Sequence, residues 1–324
     1  MAAQDMQNML TDRDMPALFQ WSDRASRYAQ TLFFRLLGSE LILITLGTFV
    51  SLLSSLVNPA PAINIGPVTL AGHTVTSVPL IELAAGALIF FALVIRLIRF
   101  FGHFDTKWYE ARAVAESAKS VAWRYAVGGR PFGLTDNPQD PNKLANTRSS
   151  DILTDVGKRW RVGGPITADQ ITDVMRELRS QSLDVRRKAY LVDRIRDQRD
   201  WYTKKQRVNH RRALFANWAL VILEFLGIVF AVLQALGIVT LNLQTLAAAL
   251  ITGGIAWTQA QRYQDLSASY GVAASEAAAL EGAPQVHEMV KEDEWAAFVD
   301  SAEAAFSREH RLWRAVREPE PPDE

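Results

Sequence analysis

The chain has 324 residues, 49% of them hydrophobic, and its 35 basic and 35 acidic side chains balance to a formal net charge of +0. That balance offers no electrostatic footprint for nucleic acid as a partner. Cysteine is absent, which removes disulfides, thiolate metal sites and cysteine nucleophiles together.

The averages conceal a segregation. Apolar residues gather into four runs, 41–57, 79–101, 213–236 and 238–257, and the charges into the stretches between them. At about 1.5 Å per helical residue, each run is close to the length needed to cross a hydrocarbon core of ~30 Å. An amphipathic helix expected over 17–37, bearing Arg24, Arg27 and Arg35, leads into the first run. No cleavable leader pattern precedes that run, so it is expected to serve as its own insertion signal. The connector 58–78 carries no Lys or Arg. Its stretch from Ile63 to Thr76 alternates and holds a Gly turn, the pattern of a small hairpin.

The second run ends on Arg96 and Arg99, and a trailing helix is expected over 104–127. Its Ala111, Ala115, Ala118 and Ala122 form one stripe of small residues suited to close helix packing. Gly128 and Gly129 stop it. Pro131, Pro138 and Asp140-Pro141 mark a loop, a short helix is expected over 152–159, and Gly163-Gly-Pro165 breaks the chain again. Thr167 and Gln170 have capping-box spacing, with Ile166 and Ile171 placed as a hydrophobic staple, so another helix is expected from there to Arg179.

After Ser182 the helical period runs unbroken through Arg212 into the third run. A short connector, 237–242, leads to the fourth run and a second trailing helix over 258–281, with Ala274, Ala277 and Ala278. The last helix, over 288–317, carries Trp295, Phe298, Val299, Ala302, Phe306, Trp313 and Val316 on one face, and Pro319, Pro321 and Pro322 end it. Leading helix, span, connector, span and trailing helix therefore occur twice. The units are 1–132 and 182–317, with a linker of short helices over 133–181 and an acidic tail over 318–324. The expected fold is all-α and integral to the membrane, with four spans as two two-span repeats and long cytoplasmic juxtamembrane helices.

Arg24, Arg27, Arg35, Arg96, Arg99, Lys107, Arg207, Arg211, Arg212 and Arg262 all flank the runs on one side, whereas neither connector holds a positive charge. The positive-inside rule then puts both termini and the central block in the cytoplasm. The fourth run, with Asn242, Gln244, Thr245, Thr252 and Gly253-Gly254, also fits a re-entrant hairpin, but Arg262 and the charged helix after it favour a return crossing.

Ionisable and polar groups inside the runs are few, and burying charge in lipid is costly. Glu224 lies midway along the third run, on a face with Asn217, Leu220, Gly227, Ala231 and Gln234. Comparable faces hold Glu40, Gly47, Ser51 and Ser54 in the first run, Glu82 and Gly86 in the second, and Asn242, Thr245 and Thr252 in the fourth. These faces either line a water-filled path or bind helices together through small and hydrogen-bonding residues. Packing accounts well for the Ser, Thr, Gly and Asn positions. For Glu224 a functional role fits better, since a Gln would pack as well at lower cost.

Basic residues from Arg194 to Arg212 are interleaved with Asp193, Asp197 and Asp200. That pattern fits a solvated helix with internal ion pairs, while an anionic-lipid or nucleotide site is the alternative. His287, Glu309 and His310 lack metal-ligand spacing. No phosphate-binding loop, nucleophile elbow or zinc motif is present, so neither an enzyme nor a cofactor or metal site is expected.

The juxtamembrane wording is more specific. Trp108-Tyr-Glu-Ala-Arg112-Ala-Val-Ala-Glu116-Ser-Ala-Lys119-Ser-Val-Ala-Trp123-Arg-Tyr125, then Arg130-Pro-Phe132, resembles the trailing helix of SLATT-domain proteins. Arg179, Leu183, Arg186-Arg187, Tyr190, Arg194, Asp197-Gln198, Trp201-Tyr202, Lys204 and Asn209 resemble the leading helix of a second SLATT variant, and Phe298-Val-Asp-Ser-Ala-Glu303 with Glu309, His310 and Trp313 its closing helix. The resemblance covers most of the chain as two tandem units. It implies a bacterial membrane effector of conflict or defence systems, in the inner membrane, forming pores as a homo-oligomer. It also implies a trigger from a nucleotide-sensing or nucleotide-producing partner, because this chain shows no nucleotide-binding domain of its own. A non-conducting membrane scaffold that docks a cytoplasmic partner is the alternative.

Overall fold

A computed structural model describes residues 9–57, 61–135, 140–157, 170–283, 286 and 288–315. It is mostly helical. After a 3₁₀ turn at Asp12–Asp14 come α1 (Ala17–Ser54), a hairpin of β1 (Ala62–Leu70) and β2 (His73–Pro79), α2 (Leu80–Gly102) and α3 (Phe104–Val127). Then follow α4 (Pro141–Gly157), α5 (Asp173–Ser180), α6 (Leu183–Ala235), α7 (Leu243–Gln261), α8 (Tyr263–Glu281) and α9 (Glu292–Ala315).

Two compact units form from non-contiguous segments. A polar unit takes described residues from 1–30, 105–207 and 266–324, and an apolar unit takes 31–104 and 208–265. Among the described residues, three helices are long and apolar enough to cross a membrane: α1, the stretch Leu80–Val127 that holds α2, and α6. The fourth run forms α7, a separate helix of 19 residues.

In the apolar unit, helices meet where side chains are small. A Cβ at Gly47 of α1 would stand 3.1 Å from Ile89 Cγ1 and 3.3 Å from the Ala85 carbonyl of α2. One at Gly254 of α7 would fall 2.8 Å from Leu220 of α6, and one at Gly227 would touch Ala247. Without a hydrophobic force between helices in lipid, such close approach is the main source of adhesion. The outward faces carry exposed Phe100, Phe101, Phe215, Trp218, Phe225 and Ile228, a surface suited to hydrocarbon. The hairpin expected near Ile63–Thr76 is present. Ala71 and Gly72, at φ of 50° and 83°, form its two-residue turn between Leu70 and His73.

Helix ends follow backbone arithmetic. Gly128 (φ 77°) closes α3: Gly129 N–H donates to the Arg124 carbonyl and Gly128 N–H to that of Tyr125, a Schellman stop. Gly237 (φ 69°) ends α6 in the same way, with Ile238 N–H on Leu233 and Gly237 N–H on Gln234. The repeats share a further joint. His103 (φ 46°) separates α2 from α3, and Arg262 (φ 51°) separates α7 from α8.

Three expectations are corrected. The segment at Asp140-Pro141 is a helix start, because Asp140 Oδ1 accepts from Asn142 N–H at 2.9 Å and Pro141 occupies the first helical position. The helix after the glycine break begins at Asp173, where Thr172 Oγ1 accepts from Met175 N–H, so Gln170 does not cap α5. Gln170 is instead buried, its side chain accepting from Leu18 N–H at 3.1 Å, while Thr167 and Ile166 lie outside the described residues. In α8 the buried stripe is Ala273 and Ala277; Ala274 is only half-buried and Ala278 is exposed.

The polar unit's core joins Ala115, Ala118 and Ala122 of α3 to Met175 and Leu178 of α5, Ile195 of α6, and Val299 and Ala302 of α9. Gly129 is the tightest point, since a Cβ there would stand 2.9 Å from Val299 Cβ. Gly129→Ala is expected to lower unfolding stability by about 1–3 kcal/mol. Denaturant or thermal unfolding of the purified full chain checks this, and an unchanged midpoint would contradict the packing described.

Candidate functional site

The polar residues of the apolar unit fall into three groups. On α1 and α2 the structure brings together Ser51, Ser54 and Glu82: Ser51 Oγ lies 3.2 Å from Glu82 Oε2, and Ser54 Oγ donates to the Ser51 carbonyl. Where α7 begins, Thr245 Oγ1 donates to Asn242 Oδ1 at 2.8 Å. The third group is unpartnered. Asn217, Glu224 and Thr252 are exposed and, among the described residues, make no hydrogen bond or ion pair. Gln234 is half-buried, and its buried Oε1 accepts no hydrogen bond. The face proposed from helical spacing is therefore split. Leu220 and Gly227 turn to α7, whereas Glu224 is left on the surface of this single chain.

One intramembrane charge is already neutralised. Glu40 of α1, 4% exposed, accepts from Arg99 Nη2 of α2 at 2.8 Å, and Arg96 stands 3.9 Å away. Arg99 also lies over the Phe33 ring. A carboxylate buried at the end of a span is tolerable when a guanidinium meets it directly.

The polar unit is organised around the C-terminus of α3, whose last carbonyls have no partner within the helix. Trp295 Nε1 of α9 and Arg186 Nη1 of α6 both donate to the Val127 carbonyl, at 2.7 and 2.8 Å. Arg179 Nη1 of α5 donates to that of Tyr125 at 2.8 Å. Cationic groups at this end also complement the helix dipole. Arg186 is itself buried, bonded to the Gln181 carbonyl and paired with Glu292.

One turn further along α6, residues Tyr190–Arg196 form a π-helical stretch, a local widening often found at functional sites. Two members, Tyr190 and Arg194, converge on Glu303 of α9. Arg194 donates through Nε (3.0 Å) and Nη2 (2.9 Å) to the two carboxylate oxygens, and Tyr190 OH donates at 3.0 Å. Arg194 is 2% exposed, and Tyr190 and Glu303 are 0% exposed. Arg194 also lies over the Phe306 ring. Tyr190 meets Trp123 and Trp295 edge-on, each at 5.8 Å between ring centroids. Burial holds the Tyr190 phenol well above its ordinary pKa, and the Glu303 carboxylate adds to the shift. Burial penalises the Arg194 charge, yet the paired Glu303 raises its pKa overall.

This corrects the solvated-helix reading of the basic stretch. Arg194 is buried and ion-paired, and Arg196 and Arg199 pair with Glu281 of α8 rather than only within their own helix. The other family-motif positions are structural. Trp108 is buried and stacks on Tyr109, and Arg112 pairs with Asp23 and Glu116. Lys119 is buried against Asp12 and the Phe19 ring, and Tyr125 OH donates to Asn142 at 2.6 Å. Trp201 and the buried Tyr202 pack on Tyr270, and Gln198 is half-buried. The side chains of Glu309, His310 and Trp313 lie outside the described residues, as does His287.

Sequence reasoning missed the role of Glu303 and the capping role of Arg186. Both residues stand in the wording that carries the family resemblance, and Glu303 follows Trp295 and Val299 at i+8 and i+4, which places a carboxylate on the apolar face of α9.

Two family models match the chain. SMODS and SLOG-associating 2TM effector domain 3 covers residues 16–187, and SMODS and SLOG-associating 2TM effector domain 1 covers residues 190–313. The second match begins at Tyr190, the first residue of the π-helical stretch. No curated protein and no solved structure matches the chain.

Removing either member of a buried pair strands the other. Glu303→Met or Arg194→Met is expected to cost about 3–5 kcal/mol in unfolding stability, and the double substitution to recover most of it. A double-mutant cycle by denaturant unfolding measures this, and additive losses would refute coupling. Tyr190 supplies a pH signature. Its folded pKa is raised above the unfolded value, so its contribution is complete below about pH 10 and is lost as pH rises beyond that. Tyr190→Phe should make the alkaline decline in melting temperature shallower.

Proposed function

The chain belongs to the SLATT family, carrying in tandem two membrane effector domains of a kind associated with defence systems, and on that premise we propose that it is a pore-forming oligomer. In this reading all four apolar helices span the inner membrane of a bacterium, both termini are cytoplasmic, and no catalytic step is involved. A separate nucleotide-sensing or nucleotide-producing protein supplies the trigger through the cytoplasmic helices.

The observation that carries the proposal is Glu224. It lies at the middle of the α6 span, is exposed, and has no partner among the described residues of its own chain. A charge near the centre of a span costs roughly 3 kcal/mol or more unless it meets a partner or water. No residue in the apolar window of α6 is fully buried within the chain, so further helices have a face on which to assemble. Assembly around that face converts the cost into a ring of carboxylates facing water, which attracts cations. Glu40, by contrast, is already paired with Arg99.

Membrane potential in bacteria expressing the chain together with its neighbouring genes tests the proposal. The wild type is expected to depolarise the cells and arrest growth upon triggering. Glu224→Ala and Glu224→Gln should weaken depolarisation severalfold at equal membrane abundance. Thr252→Leu, on the adjacent helix, should have a smaller effect of the same sign. Depolarisation unchanged by all three would remove these residues from the path, and a triggered chain that never depolarises would favour the scaffold.

A further inference from the structure

Within the apolar unit, α6 and α7 enclose a groove of about 410 Å³, inside the usual range for small-molecule sites of about 300–1,000 Å³. Its lining is unevenly distributed. On α6 it runs from Arg211 and Arg212 to Leu223, roughly 18 Å along the helix, which is about the depth of one leaflet of a ~30 Å core. The groove is narrowed where Gly254 lets α7 come against Leu220. Between these limits the walls are apolar, with Phe215 on one side and Trp257 on the other. Trp257 is held in place from behind, edge-on to Phe34 at 5.9 Å and against the surface that Gly38 leaves open.

The two arginines are the only charged groups in the lining. Both are exposed, and among the described residues neither makes an ion pair or a hydrogen bond. Tyr263 stands with them, and aromatic rings of this kind favour the level of lipid headgroups. A free anion would satisfy the arginines but leave the apolar walls bare. A neutral lipid would fill the walls but leave two cations unmatched. One ligand class meets both demands.

We propose that this groove binds an anionic phospholipid, with its phosphate on Arg211 and Arg212 and one acyl chain laid along Phe215, Leu223 and Trp257. The site rests on α6 being a membrane span and not on conduction, so it stands or falls separately from the pore.

Native mass spectrometry of the full chain in mild detergent tests it, by titration with phosphatidylglycerol, phosphatidylcholine or inorganic phosphate. Phosphatidylglycerol should bind the wild type about tenfold or more tightly than phosphatidylcholine, given two cations of the strength that draws basic residues to anionic leaflets. Arg211→Gln with Arg212→Gln should abolish that preference. Ala219→Phe should expel the lipid with both arginines intact, in protein whose melting matches wild type. The proposal is overturned by equal affinity for the two lipids, by a preference that survives the arginine substitutions, or by full displacement of phosphatidylglycerol by inorganic phosphate. That last result would mark the site as one for a free anion.

Discussion

Hydrocarbon offers no partner to a backbone N–H or C=O, and this constraint organises the whole chain. It requires the apolar runs to be helices, makes their small residues the points of contact, and restricts ionisable side chains to places where something answers them. Glu40 is answered by Arg99 across α1 and α2. Glu224 is not answered within its own chain. The contrast between these two carboxylates separates a charge used for holding helices together from one available for another purpose.

In the polar unit the same accounting applies to helix ends. The C-terminus of α3 is buried, so its free carbonyls must be met by the protein, and donors from α5, α6 and α9 converge on it. Those donors fix the helices that carry them. Arg186 and Tyr190 of α6 and Trp295 and Glu303 of α9 belong to one continuous set of hydrogen bonds and ring contacts. The π-helical stretch lies within this set. Arg194 follows Tyr190 at i+4, so both side chains reach the same buried carboxylate of α9.

The tandem arrangement also has a consequence for cooperativity. The two family matches divide the chain at 187 and 190, inside one continuous helix. The compact units divide it differently, each taking segments from both matches. Trp123, from the first match, packs on Tyr190, from the second. Neither repeat therefore has a private core, and a change in one is felt by the other through shared packing.

The amino-acid sequence alone determined the long apolar helices, the hairpin after the first of them, the glycine stop at Gly128, the unbroken run of α6 and the tandem family. Each depends on local period, turn chemistry or a contiguous motif, all of which are written in neighbouring residues. Tertiary structure alone decided which charges are paired. Glu303 and Arg194 are 109 positions apart, and no local pattern separates a buried arginine from a solvated one. The same holds for the onset of α5, where Thr172 is the N-cap and its hydroxyl also donates to the Asp14 carbonyl far along the chain. Propensity proposes where a helix can start and where a charge can sit. The decision belongs to distant groups, because the energy of a buried hydrogen bond or ion pair depends on what surrounds it.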